Sequence, residues 1–255
     1  VRLVVTQPDR PAGRKQQIKP PSVKLTANRH GLTVDQPETL RDYRPTMPPP
    51  EVGVVVQYGN IIPGHLLGYP RLGMINIHPS LLPKYRGASP IRSALINGEV
   101  ETGVTIMKLD QGLDTGPILV QKKISILPDE TAPMLEERLW QLARELLPDA
   151  ITGYVRGTLP PRPQDDRLAS LTKPLIREDG QINWNEPAVR IYNRYRGLTP
   201  WPGIWTRWEG KRLKLIRVKP TPGTGESGRV LLTDKKLTVG SADGPTAGGP
   251  RIGLL

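Results

Sequence analysis

Residues 73–90 read GMINIHPSLLPKYRGASP. The run Leu72 to Ile77 is nearly continuous in apolar residues, as in a strand buried on both faces. It delivers Asn76 and His78 at its C-terminal end, and their i, i+2 spacing sets both side chains on one face. Ligands of open α/β sheets gather outside the C-terminal ends of strands. Ser89 and Pro90 then open a helix as N-cap and first helical residue, and Asn97-Gly98 closes it.

Working outward, Val52–Val56 is a second apolar run and Val104–Leu109 a third, both read as strands. Residues 1–6, VRLVVT, read as a short buried strand, and Val23–His30 as a helix ended by Gly31. Between them QPDRPAGRKQQIKPPS has no apolar period and is expected to be a long loop. Thr131 caps a helix with Leu135, Leu139, Leu142 and Leu146 on one stripe. Strands alternating with helices predict an α/β domain with a parallel-rich sheet. The proline-rich TLPPRPQDD marks a composition change, giving a domain at 1–158, a linker at 159–176 and a second domain at 177–255. In that second domain GIWTRW, RLKLIRV, GRVLLTD and KKLTVGS are short and turn-punctuated, the pattern of a small antiparallel barrel or sandwich.

Composition removes several classes. There is no cysteine, so no disulfide, thiol nucleophile or cysteine-held metal, and three histidines are too few for a histidine cage. No run of roughly 18 or more apolar residues exists to span a membrane. The net charge of +12 fits a polyanionic partner or simply a basic protein. The chain also lacks phenylalanine and does not begin with Met. Residues 223–228 match G-x-G-x-x-G but follow prolines and precede strand-like RVLLT, so they read as a surface loop. His30, His65, Glu136 and Glu137 are assigned no chemistry.

The loop DQGLDTG, residues 110–116, follows the third strand and can carry Asp114 into the crevice of Asn76 and His78. Asn, His and Asp together suit acyl transfer: an amide donates to a developing oxyanion, a histidine moves a proton, and a carboxylate orients it or takes one. No G-x-S-x-G elbow is present, so direct attack by a substrate amine fits better than an acyl-enzyme. The same spacing is also met by an asparagine that caps a turn and a structural histidine.

IHPSLLPKYRGASPI followed by ETGVTIMKLDQGLDTGPIL closely resembles the formyltransferase family that uses 10-formyltetrahydrofolate. The resemblance implies a Rossmann-like catalytic domain followed by a small OB-like β-barrel domain. It implies catalytic roles for Asn76, His78 and Asp114, and folate binding by Ser80, Leu81, Leu82 and Pro83, with no metal. The opening TQPDRPAGR is similar to the tRNA-contacting loop of family members that act on methionyl-tRNA. That implies tRNA contacts by Arg10, Arg14 and Lys15, with Arg14 foremost. The implied reaction moves a formyl group from 10-formyltetrahydrofolate to the α-amino group of methionyl initiator tRNA, for translation initiation. The family also implies a monomeric cytoplasmic enzyme with no membrane partner, a strand and a helix ahead of Val1, and a longer C-terminal tail. Relative to the family, Pro148 interrupts a helix and GPTAGGPRIGLL is a less strand-like ending.

IREDGQINW and RGLTPWPGIWT extend the resemblance into the second domain. There Arg190, Arg194, Arg196, Lys211, Arg212, Lys214, Arg217 and Lys219 interleave with Tyr192, Tyr195, Trp201, Trp205 and Trp208, a mixture suited to nucleic acid. Two rivals remain at this level. One is a formyltransferase acting on a small amine, against which DRPAGR speaks. The other is a non-catalytic RNA-binding protein on the same fold, against which Asn76, His78 and Asp114 speak.

Overall fold

A computed structural model of the chain describes residues 1–13, 16–221, 226–233, 236–242 and 251–254. In chain order the amino-terminal elements are β1 (Leu3–Val5), β2 (Arg10–Ala12), β3 (Gln17–Lys19), α1 (Ser22–Arg29), β4 (Thr33–Asp35) and β5 (Gly53–Val55). Next come α2 (Gly64–Leu67), β6 (Met74–His78), β7 (Arg86–Gly87), α3 (Pro90–Ile96), β8 (Glu101–Lys108), β9 (Ile118–Ser125) and α4 (Ala132–Val155). The carboxy-terminal part holds β10 (Leu171–Thr172), α5 (Ala188–Leu198), β11 (Ile204–Trp208) and β12 (Lys211–Leu215). It ends with β13 (Val218–Thr221), β14 (Val230–Thr233), β15 (Lys236–Val239) and β16 (Arg251–Leu254).

The central sheet runs β5-β6-β8-β9. Only β5 and β6 are parallel; β6–β8 and β8–β9 are antiparallel. The expected parallel-rich sheet is therefore a mixed one, with a separate parallel pair β1–β4 beside it. The reason lies in α3. A parallel return needs a crossover of roughly a dozen or more residues, and α3 is a seven-residue helix that packs on α5 and α4 and adds Ile91, Ala94 and Leu95 to the core. The chain re-enters from the end where it left β6, and β8 runs back.

Within β6 the alternation does what its sequence dictates. Ile75 and Ile77 are buried and join the core, while Asn76 and His78 face the other way. The stripe on α4 closes that core: Leu135, Leu139 and Leu142 are buried and Leu146 packs against them. The helix runs 24 residues straight through Pro148, so the proline does not interrupt it. Near its start, buried Glu130 accepts from Arg138 Nη1 at both carboxylate oxygens, 2.8 and 2.9 Å, and from the Leu127 N–H. A buried carboxylate needs such charge-assisted bonds.

Three further expectations change. Residues 7–22 are not one long loop, because β2 and β3 pair as an antiparallel hairpin, Arg10 opposite Lys19. It is an exposed two-stranded ribbon, so its residues carry no apolar period, and Pro11 is tolerated because β2 pairs on one side only. Val52–Val56 is not covered on both faces: β5 lies at the sheet edge, and Val54 and Val56 are exposed. The ending contains a strand after all, β16, which pairs with β13 and β15.

α1 stops at His30 and Gly31, and α3 at Asn97 and Gly98, as read from sequence. The carboxy-terminal strands form a two-stranded β11–β12 sheet and a four-stranded β13-β16-β15-β14 sheet. No closed barrel is found among the described residues. β11 and β12 are joined by Glu209-Gly210, both at positive φ (48° and 76°), the backbone of a type I′ hairpin turn. Of residues 223–228, 223–225 lie outside the described residues, and β14 rather than a helix follows them. The two parts of the chain meet where α5 crosses α3. A Cβ on Gly197 would stand 2.8 Å from the Arg92 carbonyl oxygen, so this close approach requires glycine. Among the described residues no helix is long and apolar enough to cross a membrane.

Candidate active site

The face of β6 that carries Asn76 and His78 forms one wall of a cleft of about 660 Å³. The opposite walls come from residues 57–62, from 87–92 and from the 109–114 loop. That loop leaves β8 at the far end of β6 and folds back along the sheet, bringing Asp114 to His78. Asn76, His78 and Asp114 thus share one cleft.

His78 is buried and held from both sides. Its Nε2 lies 2.9 Å from the Tyr85 carbonyl oxygen, and its Nδ1 lies 3.6 Å from Asp114 Oδ2. A carbonyl can only accept, so Nε2 carries the hydrogen and the neutral ring turns its lone pair toward the carboxylate. Burial pulls the His78 pKa below its ordinary 6.5, opposed by the charge of Asp114 and the bond to Tyr85. His78 is only 4% exposed, so desolvation outweighs both and the net shift is downward. The pair therefore meets neutral pH without the extra proton and is able to take one.

Asp114 Oδ2 also accepts the Gly87 N–H at 2.8 Å. Oδ1 takes none of the described hydrogen bonds and is the free acceptor toward the cleft. Asn76 is half-buried and its amide makes no described hydrogen bond, so both its donors remain for a ligand. Three residues of this site sit in the left-handed region without being glycine: Gln57 (φ 45°), Tyr85 (φ 63°) and Asp114 (φ 53°). Each costs roughly 1–3 kcal/mol and persists only where surrounding structure fixes it.

Ser80, Leu81, Leu82 and Pro83 do not line this cleft. Ser80 Oγ donates to the Lys84 carbonyl, and buried Thr105 Oγ1 donates to the Ser80 carbonyl and accepts the Leu82 N–H. Leu82 packs with Met107 and Ile118. This segment is the frame from which the Tyr85–Ser89 loop hangs. Arg10 is on β2, with Nη2 3.4 Å from Gln7 Oε1; Arg14 and Lys15 lie outside the described residues. The base of the hairpin is pinned by Asp9, which accepts from Lys24 and Gln36, while Gln7 Nε2 donates to the Tyr58 carbonyl on the cleft wall.

Sequence reasoning missed several members. Glu136, assigned no chemistry from sequence, lines the cleft and accepts from Gln57 and Trp140. Tyr85 and Gly87 fix the two ends of the His78–Asp114 pair through backbone atoms, for which side-chain chemistry gives no signal. Arg92 lines the cleft and donates to the carbonyls of Gly197, Thr199 and Trp201, tying it to the second part of the chain. Several residues read as nucleic-acid contacts are structural: Arg196 is buried, Trp205 Nε1 donates to the Arg177 carbonyl, and Arg194 donates to the carbonyls of Asp179 and Gln181. Lys211, Arg212, Lys214, Arg217 and Trp208 remain exposed. Among the described residues no cluster of His, Asp or Glu is arranged to hold a metal ion.

Gly87 carries a stability prediction. It has φ 103°, and a Cβ there would stand 2.5 Å from the Thr172 carbonyl oxygen. Gly87→Ala is expected to lower unfolding free energy by about 1–3 kcal/mol or more. Urea unfolding checks this, and an unchanged midpoint removes the steric argument.

A β6 strand with adjacent amide and imidazole, and a returning loop with a carboxylate, define a site for moving an acyl group between amines. Residues 1–151 match the formyl transferase family model and residues 174–247 its C-terminal domain, so the chain belongs to the formyltransferase family. A methionyl-tRNA formyltransferase of Chloroflexus aurantiacus is 47% identical over 236 residues, covering 89% of this chain and 76% of that protein. One of Geobacter metallireducens is 46% identical over 246 residues, covering 94% of this chain and 79% of that protein. Among solved structures, an N-formyltransferase of Helicobacter canadensis complexed with folinic acid and dTDP-3-aminofucose superposes with TM-score 0.70. It is 18% identical and is matched over 98% of this chain and 86% of that one. HypX of Aquifex aeolicus complexed with tetrahydrofolic acid gives TM-score 0.62 at 19% identity, over 80% of this chain and 35% of that one. At such identities these two speak for the fold alone.

Proposed function

We infer that this chain transfers the formyl group of 10-formyltetrahydrofolate to the α-amino group of methionyl initiator tRNA, the step that prepares it for translation initiation. The observation that carries the reading is the meeting of Asn76, His78 and Asp114 in one cleft, in a chain whose relatives at 47% identity bear that activity in their name. The methionyl amine attacks the formyl carbon. Asn76 donates to the oxygen that becomes negative. Asp114, backed by His78, takes the proton the amine must lose. Collapse breaks the bond between the formyl carbon and N10 of the folate, and N10 leaves with a proton.

Residues 1–158 bind the folate and do the chemistry in this proposal. The Ser80–Pro83 segment serves the folate site as its frame, and 159–176 straps it from outside. Residues 177–255 are the OB-like unit that holds the tRNA. Arg10, Arg14 and Lys15 contact tRNA phosphates, and the tie of Gln7, at the base of the β2–β3 hairpin, to Tyr58 supports delivery of the acceptor end to the cleft. The working setting is the bacterial cytoplasm and the working form a monomer.

The test is transfer of labelled formyl to methionyl initiator tRNA, with uncharged tRNA and a nucleotide-linked amino sugar as competing acceptors. Product on charged tRNA alone is expected; transfer only to the amino sugar overturns the tRNA reading. Arg14→Ala is expected to raise KM for the tRNA about tenfold and to shallow its salt dependence by about one phosphate contact, with kcat near the parent value. An unchanged salt slope removes the phosphate contact.

A further inference from the structure

The geometry points to Gln164, on the segment between the two domains, as a positioning residue that holds Asp114 against His78. This rests on the formyl-transfer reading. Gln164 Nε2 donates to the Asp114 carbonyl at 2.8 Å and to the Gly116 carbonyl at 2.7 Å. Its Oε1 accepts from Arg86 Nε at 3.1 Å and from Arg86 Nη2 at 2.8 Å. The amide is thereby used at both ends.

Arg86 is buried, and its Nη2 also donates to Asp166 Oδ1, again from the strap. The residue after it, Gly87, donates its N–H to the Asp114 carboxylate. Asp114 is thus gripped at its carbonyl by Gln164 and at its carboxylate by Gly87, and Arg86 joins the two grips. The strap also sets the Arg86–Gly87 backbone directly. β10 pairs with β7, Ser170 Oγ accepts the Tyr85 N–H, and Thr172 Oγ1 donates to the Arg86 carbonyl and accepts the Ser89 N–H.

Two facts make the Gln164 grip matter. Asp114 sits at φ 53°, a conformation a non-glycine residue keeps only when held. The other side-chain bonds of its loop, from Thr115 and the Gly112 N–H to Asp110, are internal and fix nothing to the sheet. Without Gln164 the carboxylate drifts from His78 Nδ1. A reacting group misplaced by an ångström costs about 10²-fold in rate.

The consequence reaches the pH profile. Asp110 and Asp114 from the loop, Glu136 from α4 and Arg92 from α3 are the charged groups around the His78 cleft, with Arg86 behind. Of these, Asp114 is the one whose charge holds the His78 pKa up. Moving it away leaves only the bond to the Tyr85 carbonyl to oppose desolvation, and the acid limb of kcat shifts to lower pH. A purely structural glutamine would reduce thermal stability and the active fraction but leave that limb in place.

The experiment uses the full chain with Gln164→Ala and the near-isosteric Gln164→Met, which keeps the volume if the alanine variant fails to fold. Formyl transfer to methionyl initiator tRNA is followed across pH. The expected result is a fall in kcat of about 10²-fold, KM for tRNA near the parent value, and an acid limb moved to lower pH. A near-parental kcat, or a fall with the limb unmoved, overturns the assignment. If the parent chain itself transfers no formyl group, the failure belongs to the formyl-transfer reading and not to Gln164.

Discussion

Asp114→Asn is expected to leave a folded chain whose kcat for formyl transfer is lower by about 10²–10⁴-fold, the usual range for losing a positioned acid or base. The amide keeps the acceptor for the Gly87 N–H, which now meets Asp114 Oδ2 at 2.8 Å, so the loop stays where it is. What it cannot do is receive a proton. With its oxygen kept on the Gly87 N–H, the amide nitrogen takes the place of Oδ1 and presents donors where the parent offers an acceptor, while His78 Nδ1 faces a neutral oxygen instead of a carboxylate. The loss should lie in kcat, because nothing in this pair serves to hold the tRNA. The sign of the pH dependence follows from burial. His78 titrates below its ordinary 6.5 in the folded chain, chiefly by desolvation. The unfolded chain therefore binds that proton more readily, and the stability contributed by neutral His78 is present above 6.5 and lost as pH falls from there through the lower value of the folded chain. Activity has its acid limb in the same window, since a pair that already holds the proton cannot accept the amine's. In Asp114→Asn that limb moves further down, because the charge opposing desolvation is gone. Rapid-quench single turnovers across pH check both parts. A loss below about tenfold, or one seen only in KM, takes Asp114 out of proton transfer.

The parts of this site that sequence made legible are those carried by local pattern. Asn76 and His78 share a face because a strand has period two, and Ile75 and Ile77 prove it by filling the core behind them. The leucine stripe of α4 and the ends of α1 and α3 are equally local. Strand direction is not legible because it is not local: β8 runs antiparallel to β6, and α3 between them packs on α5, far along the chain. The β2–β3 hairpin escaped because an exposed ribbon, with Ile18 itself exposed, buries nothing and so shows no period. The arginines and tryptophans near α5 pointed to nucleic acid by composition. Only packing separates buried Arg196 and Trp205 from exposed Arg212, which itself stacks over the Trp205 ring at 4.3 Å. The least legible element is the strap. Its prolines and charges read as a spacer, yet its bonds to Arg86 and Asp114 cross 78 and 50 residues of sequence. No window of local pattern contains both ends of such a contact.

Asn76→Ala is expected to lower kcat by about 10²–10³-fold, the cost of removing one oxyanion donor, while KM for the tRNA and the melting temperature stay near parental values. Asn76 is the residue to ask because its surroundings separate chemistry from stability. It stands on β6, paired by β5 on one side and β8 on the other, so its amide is aimed by the sheet rather than by a loop. Its side chain makes no described hydrogen bond and is only half-buried, so truncation leaves no partner orphaned and opens no cavity in the core. A donor that stabilises nothing in the folded chain, yet is held at a fixed point in the cleft, has its interaction reserved for a charge that arises during reaction. Asn76→Asp sharpens the test. It preserves shape and places a negative charge where the oxyanion forms, so it should be worse than alanine, whereas a residue needed only for size would tolerate it. If aspartate matches the parent, or alanine shifts KM alone, the oxygen of the transferring formyl group does not lie against Asn76.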